Sequence, residues 1–158
     1  MKSLTFLRHP PLQNMTHIAY GALDVPVADK VVAAYGEKIT NLGFERIITS
    51  PLVRAQALAT MLAAQWQVPL QVDDRLREIS LGTWEGRRFA DIATEEGDAY
   101  RARGLHPWAA KPPQGESFAE VGERAFVAWQ ALCQDPATHE ESMLIVGHSG
   151  WLRALAVV

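Results

Sequence analysis

SLTFLRHPPL, Ser3–Leu12, begins as an apolar run that stops abruptly at Arg8 and His9. The two prolines that follow fix the backbone and lack N–H groups, so regular structure cannot continue through them. We therefore predict a short buried strand over Ser3–Leu7. A buried strand that ends on a guanidinium and an imidazole side by side indicates a ligand-binding site at that end of the strand.

Three more strand-like runs follow, and helical patterns alternate with them. These strands are predicted at Arg46–Ser50, around Leu70–Val72 and at Ser142–Val146. Their residues are mostly apolar rather than alternating, as expected when both faces of a parallel sheet are covered. The strand–helix–strand succession predicts a three-layer α/β/α fold with a mostly parallel open sheet.

Four helices are predicted from their apolar periodicity and end signals. The first, DKVVAAYGEKITNLG, should run to a C-terminal cap at Gly43. The second should carry Pro51 in its first turn. The third opens with Ser117 and Glu120 in capping-box spacing, and the last should begin near Trp151.

Length and composition predict one globular domain over residues 1–158, interrupted by a helical and loop excursion over one sheet edge at about 73–116. The net charge of −3, without a basic block, argues against nucleic acid or an anionic membrane as a partner. The single cysteine, Cys133, excludes an intramolecular disulfide. No apolar run approaches the roughly 18 residues of a membrane span, and no leader precedes the first strand. A cytoplasmic protein is therefore expected.

Candidate functional residues gather where the predicted strands end. The first strand ends in Arg8 and His9, the helix after the second carries Arg54, and the fourth ends in VGHSG with His148. Open α/β sheets bind ligands beyond the carboxyl ends of their strands. Two arginines, two histidines and two helix N-termini at one rim suit a tetrahedral dianion. A phosphate-binding site of Arg8, His9, Arg54 and His148 follows.

Phosphate chemistry would need a nucleophile and an acid at this rim. His9 either binds the phosphate or attacks phosphorus through a neutral ring nitrogen. In the second case the leaving alkoxide needs a proton, for which Glu78 in LREISLGTWEG is the best candidate. Side chains of the substrate pocket, which could equally serve packing, are predicted to be Tyr20, Trp84, Glu85, Glu116 and Ser117.

These motifs together resemble the histidine phosphatase superfamily, also called phosphoglycerate mutase-like. LRHP, ITSPLVRAQALA, LREISLGTWEG, PPQGES and IVGHSGWLRAL occur in the family's order over nearly the whole chain. The resemblance implies that His9 is the phosphorylated nucleophile and Glu78 the proton donor, while Arg8, Arg54 and His148 hold phosphate. It also implies a phosphatase of small phosphorylated metabolites that needs neither metal nor cofactor.

The sequence departs from the family where the first motif continues. Most members have Arg-His-Gly-Glu-Thr and then an asparagine, whereas here Pro10 follows His9 and Met15 occupies the asparagine position. AYGALDVP instead resembles the branch that includes α-ribazole phosphatases, which implies α-ribazole 5′-phosphate of cobalamin biosynthesis as a candidate substrate. Family members usually continue beyond Val158, so the chain is expected to be short at its C-terminus. A homodimer is one option for its assembly.

Two rival enzyme classes use the same residues. His9, His148 and Glu78 could surround iron or zinc, but Arg8 and Arg54 would repel the cation. GHSGW approaches the nucleophile elbow of a serine hydrolase. That mechanism requires a later histidine, and none follows Ser149.

Two further alternatives keep the fold but change the function. One is a module that holds a phosphorylated ligand without turnover, which the Pro10 substitution and the short C-terminus leave open. The other is a phosphoglycerate mutase-type phosphoryl transfer. Mutases usually enclose the phosphorylated enzyme with extra loops, and a chain of 158 residues has little room for them. Hydrolysis is therefore preferred.

Overall fold

A computed structural model describes residues 3–157. The two ends of the predicted domain, at Met1, Lys2 and Val158, lie outside the described residues. Four strands form one sheet in the order β1-β4-β2-β3, and every neighbouring pair is parallel. The strands are β1 (Ser3–Arg8), β2 (Arg46–Thr49), β3 (Leu70–Val72) and β4 (Ser142–Gly147). All four predicted strands are confirmed, with bounds that differ by at most one residue.

Seven α-helices and two short 3-10 helices connect and cover the strands within residues 3–157. The α-helices are α1 (Asp29–Gly36), α2 (Val53–Trp66), α3 (Phe89–Glu95), α4 (Gly97–Leu105), α5 (Phe118–Gln134), α6 (Pro136–Glu140) and α7 (Ser149–Leu155). The 3-10 helices are Asp74–Leu76 and Gly82–Trp84.

Strand β4 shows why the fold has three layers. Its residues Met143 and Ile145 pack in one cluster with buried side chains of α5 and α7. Leu144 and Val146, which point to the opposite face, pack with α1 and α2. Successive side chains of a strand alternate between faces, so helices cover both faces of the sheet. The predicted α/β/α architecture is confirmed.

The first helix is shorter than predicted. It ends at Gly36 rather than continuing to Gly43. A Cβ atom at position 36 would lie 1.9 Å from the Met61 Cε of α2, so glycine permits close packing of the two helices but ends α1 through its poor helix propensity. Asn41 then closes a turn by accepting the Gly43 N–H at 2.9 Å, and Leu42, predicted on the apolar face, is 78% exposed.

Three other helix starts were also predicted. The capping box is confirmed, because Ser117 and Glu120 each accept the other's backbone N–H. Pro51 lies before α2 instead of in its first turn, and the Val53 N–H is capped by the Asp24 carboxylate at 2.7 Å. The last helix begins at Ser149, two residues before the predicted position.

The segment at about 73–116 contains both 3-10 helices, α3 and α4. The segment follows the edge strand β3, and its Glu78 reaches the end of the sheet where β4 leads into α7. There the Glu78 carboxylate accepts the Gly150 N–H at the start of α7. No helix within residues 3–157 has the length and apolar character needed to cross a membrane.

Candidate active site

His9 follows β1 and is held against the neighbouring strand. Its backbone N–H donates to the Gly147 carbonyl at 3.0 Å, and its side chain is 3% exposed. The ring nitrogen Nδ1 lies 2.7 Å from the Pro10 carbonyl oxygen. Because a carbonyl only accepts hydrogen bonds, Nδ1 carries the proton and Nε2 keeps a free lone pair. Within residues 3–157 this buried Nε2 has no hydrogen-bond partner.

Electrostatics keep the His9 ring neutral. Burial lowers its pKa from 6.5 to about 4, opposed by the hydrogen bond to Pro10 and reinforced by the positive charges of Arg54 and Arg8. A neutral imidazole with an unprotonated Nε2 is the form that can act as a nucleophile. The proline after His9 does not disturb this arrangement, since its carbonyl supplies the orienting hydrogen bond.

His148 lies beside His9 at the end of β4. The two ring centroids are 5.2 Å apart, and the parallel register of β1 and β4 pairs Arg8 with Gly147 directly before them. The His148 Nε2 is 2.8 Å from the Ser50 hydroxyl, whereas its buried Nδ1 lacks a partner within residues 3–157. Burial, with smaller effects of Arg54 and His9, lowers the pKa of His148 from 6.5 to about 2.

Arg54 is fully buried in the first turn of α2. Its terminal nitrogens donate to the carbonyls of Gly21 at 2.6 Å and Leu23 at 2.8 Å, and its guanidinium lies 5.3 Å from the Tyr20 ring centroid. Two of the three guanidinium nitrogens therefore hold the loop at 20–23. The Arg54 Nε, which is buried, has no partner among the described residues.

Arg8 stands at the exposed rim of the same site. One of its terminal nitrogens lies 3.4 Å from the Tyr20 hydroxyl. Arg8, His9 and Tyr20 line a cavity of about 530 Å³ together with Glu78. The Arg8 guanidinium and the Glu78 carboxyl group thus face one space.

Glu78 is held at the N-terminus of α7 and is 8% exposed. Its two carboxyl oxygens accept the backbone N–H groups of Ile79, Gly150 and Trp151 at 3.0–3.2 Å. A Cβ atom at position 150 would lie 2.3 Å from Glu78 Oε1, so this approach requires glycine. The α7 N-terminus, predicted to bind the phosphate, binds the Glu78 carboxyl group in this structure.

The remaining cavity wall is largely apolar and comes mostly from segments that carried no sequence signal. The lining residues beyond those already named are Pro11, Leu12, Met15, Thr16, Ile18, Gly21, Tyr35, Ile79, Leu81 and Phe89. Sequence reasoning identified Tyr20 in this wall and missed the loop at 11–18. Apolar loop residues have no spacing that separates a pocket wall from ordinary packing.

The other predicted pocket residues do not line this cavity. Trp84 is 2% exposed and donates its indole N–H to Glu96 at 2.8 Å. Glu85 accepts the backbone N–H groups of Ala22 and Leu81, each at 2.9 Å. These two residues pack and brace the loops around the cavity.

Glu116 and Ser117 are also engaged elsewhere. Glu116 accepts the Ser80 N–H at 2.8 Å and pairs with Arg124. Ser117 caps α5. Glu116 therefore braces the segment that carries Glu78, Ser117 stabilises the start of α5, and neither residue lines the cavity.

The arrangement is suited to an anion and unsuited to a cation. Within residues 3–157, no group of three or more histidine, cysteine, aspartate or glutamate side chains is placed to hold a metal ion. The positive charge of Arg54 lowers the pKa of both His9 and His148, and a metal ion would meet the same repulsion. The charge around the two histidine rings therefore matches an anionic ligand.

Comparison with known proteins identifies the family. A model of the histidine phosphatase superfamily (branch 1) matches residues 4–157. The chain belongs to this superfamily, as the motifs predicted.

Individual relatives carry more specific names. The chain is 32% identical over 118 residues to an adenosylcobalamin/α-ribazole phosphatase of Escherichia coli (strain K12), which is 73% of this chain but 56% of that protein. It is 28% identical to a probable phosphoglycerate mutase, GpmB, of Yersinia pestis (strain Pestoides F), over 94% of this chain and 70% of that protein. The chain thus spans just over half of the E. coli relative.

Among solved structures, the α-ribazole phosphatase from Shigella flexneri superposes with a TM-score of 0.81 at 27% identity. The match covers 98% of this chain and 77% of that one. The similarity therefore extends over nearly all of the sheet and helices described above.

Proposed function

We propose that this chain hydrolyses small phosphomonoesters through a phosphohistidine formed on His9. The supporting observation is a group of buried nitrogens without hydrogen-bond partners among residues 3–157: His9 Nε2, His148 Nδ1 and Arg54 Nε. A buried polar atom left unpaired costs about 1–3 kcal/mol. Phosphate oxygens would satisfy the donors among these atoms, and the phosphorus would face the His9 lone pair.

The first step transfers the phosphoryl group to the enzyme. The His9 Nε2 lone pair attacks phosphorus, a P–N bond forms, and the P–O bond to the leaving group breaks. Arg8, Arg54 and His148 bind the phosphoryl oxygens. The leaving oxygen takes a proton from Glu78, which must be protonated when the substrate is bound.

The second step regenerates the enzyme. Glu78, now a carboxylate, removes a proton from water while the water oxygen attacks the phosphohistidine. The P–N bond breaks, inorganic phosphate is released, and His9 returns to its neutral form with the proton on Nδ1. The Pro10 carbonyl at 2.7 Å holds this tautomer throughout.

For the substrate we propose α-ribazole 5′-phosphate, because the E. coli and Shigella relatives are named α-ribazole phosphatases. The wall beyond Arg8, His9 and Glu78 consists mainly of apolar and aromatic side chains, which suit a flat aromatic base. A phosphoglycerate would bring a second anionic group, and Arg8 is the one arginine or lysine side chain in the lining. The lining therefore favours a phosphatase over a mutase of the GpmB kind.

The decisive experiment follows the phosphoryl group. Rapid acid-free quenching with ³²P-labelled substrate should trap a base-stable, acid-labile label on the wild-type protein and none on His9→Ala. The exposed His139 of α6 provides a control, because His139→Ala should label like the wild type. Label retained by His9→Ala would refute the proposed nucleophile. Binding of inorganic phosphate without turnover of any ester would favour the binding-module alternative.

A further inference from the structure

Ser50 has a position that the proposed chemistry does not yet use. It follows β2, is fully buried, and its hydroxyl lies 2.8 Å from the Nε2 of His148. The same oxygen accepts the Leu52 N–H at 3.2 Å. A serine hydroxyl offers one hydrogen and two acceptor lone pairs, so these two contacts constrain where its hydrogen points.

We propose that Ser50 is a positioning residue that fixes the tautomer of His148, donating its O–H to Nε2 so that the ring proton resides on Nδ1. The opposite arrangement would make Nε2 the donor. The Ser50 oxygen would then accept two hydrogen bonds, and its own hydrogen would find no acceptor among residues 3–157. Leaving a buried donor unpaired is costly, so the first arrangement is the more stable.

The tautomer matters because of the second ring nitrogen. The His148 Nδ1 is buried and has no hydrogen-bond partner among residues 3–157, and the His148 ring lies beside the His9 ring. With a proton, Nδ1 donates to a phosphate oxygen. Without one, it would present a lone pair to that oxygen and repel it. The hydrogen bonds from the Leu52 N–H to Ser50 and from Ser50 to His148 therefore let the neutral ring donate a hydrogen bond to phosphate.

The ring proton can be observed directly in the wild-type protein. In a sample labelled with ¹⁵N-histidine at about pH 7.5, the His148 signal, assigned by its loss in His148→Asn, should show a protonated Nδ1 and a bare Nε2. Adding inorganic phosphate should keep this tautomer. A protonated Nε2 in the wild type would overturn the inference.

Variants then test the role of the hydroxyl. Ser50→Ala should shift His148 toward the Nε2-protonated form and weaken inorganic phosphate binding by up to about tenfold, the value of one hydrogen bond. Ser50→Thr, which keeps a hydroxyl, should restore the tautomer. The matched control is Thr49→Val, since Thr49 is equally buried but donates to the Val146 carbonyl at 3.1 Å. Unchanged tautomer and affinity in Ser50→Ala, or equal losses in Thr49→Val, would contradict the inference.

The link to catalysis rests on the proposed function, but the two can fail separately. A wild-type protein inactive on every phosphomonoester would refute the hydrolase proposal and leave the NMR result standing. Wild-type turnover combined with a protonated His148 Nε2 would support the hydrolase proposal and refute the tautomer inferred for His148. In an active enzyme, the loss in Ser50→Ala should appear in kcat/KM, and the Thr49→Val control should not show it.

Discussion

Acidification should destabilise this protein through two buried histidines. His9 and His148 are each 3% exposed, and their pKa values lie at about 4 and about 2, below the ordinary value of 6.5. As the pH falls below 6.5, the unfolded chain binds a proton at each residue while the folded protein binds none. The stability associated with their neutral forms is therefore complete above about pH 6.5 and is lost as the pH decreases.

The size of the effect follows from these two pKa shifts. Where a histidine is protonated in the unfolded chain but not in the folded protein, the free energy of unfolding falls by about 1.4 kcal/mol per pH unit for each such histidine. Between about pH 7.5 and 5.5 the two residues together should lower the free energy of unfolding by about 2–3 kcal/mol. The loss should continue down to about pH 4, where folded His9 begins to take up its proton. Carboxyl groups whose folded pKa is lowered, such as Glu120 at about 2, add to the loss only as the pH falls through their ordinary value of 4.5, which lies below the range from pH 7.5 to 5.5.

Urea denaturation followed by tryptophan fluorescence at the two pH values measures the effect, in buffers without phosphate. His148→Asn and His9→Asn should each remove about half of the pH-dependent loss, or roughly 1–1.5 kcal/mol. His139→Asn, at an exposed position of α6, should retain the wild-type loss. An identical pH dependence in the wild type and in both site variants would refute the burial of neutral histidines.

Three other predictions test the acid, the metal independence and the loop that carries the acid. Glu78→Gln should slow an alkyl phosphate about 10²–10⁴-fold and an activated aryl phosphate much less; equal losses in kcat would indicate a structural role. A chelator should leave phosphatase activity unchanged. A loss of activity that an added divalent ion restores would contradict this. Gly82→Ala should lower the urea midpoint strongly, because a Cβ there would lie 2.1 Å from the Pro113 carbonyl at a φ of +54°. Gly104→Ala, where nothing lies within 4 Å of the new Cβ, should raise it slightly.

Patterns within single segments predicted the fold well. The continuous apolar runs of β2 and β4 signalled a sheet covered on both faces, and parallel pairing then brought His9 and His148 to one rim. The capping box of Ser117 and Glu120 was also readable, because both partners lie within one helical turn. Such features depend on residues close in the chain or on topology that follows from element order.

Features that depend on contacts between distant segments were predicted less well. The helix α1 ends at Gly36, where the close approach of Met61 from another helix leaves no room for a Cβ atom. Trp84 resembles a pocket residue in sequence, yet it packs under its own loop and bonds to Glu96. The apolar wall at 11–18 has no periodicity that would reveal what it faces.

The chemical state of the site depends on the same long-range contacts. The chain order placed two arginines, two histidines and a glutamate near one end of the sheet through local motifs and parallel topology. It did not reveal that Arg54 would use two nitrogens to hold the loop at 20–23, or that Glu78 would accept N–H groups from α7. Hydrogen-bond partners and burial set which nitrogen carries a proton and which remains free, and both arise only when segments far apart in the chain pack together.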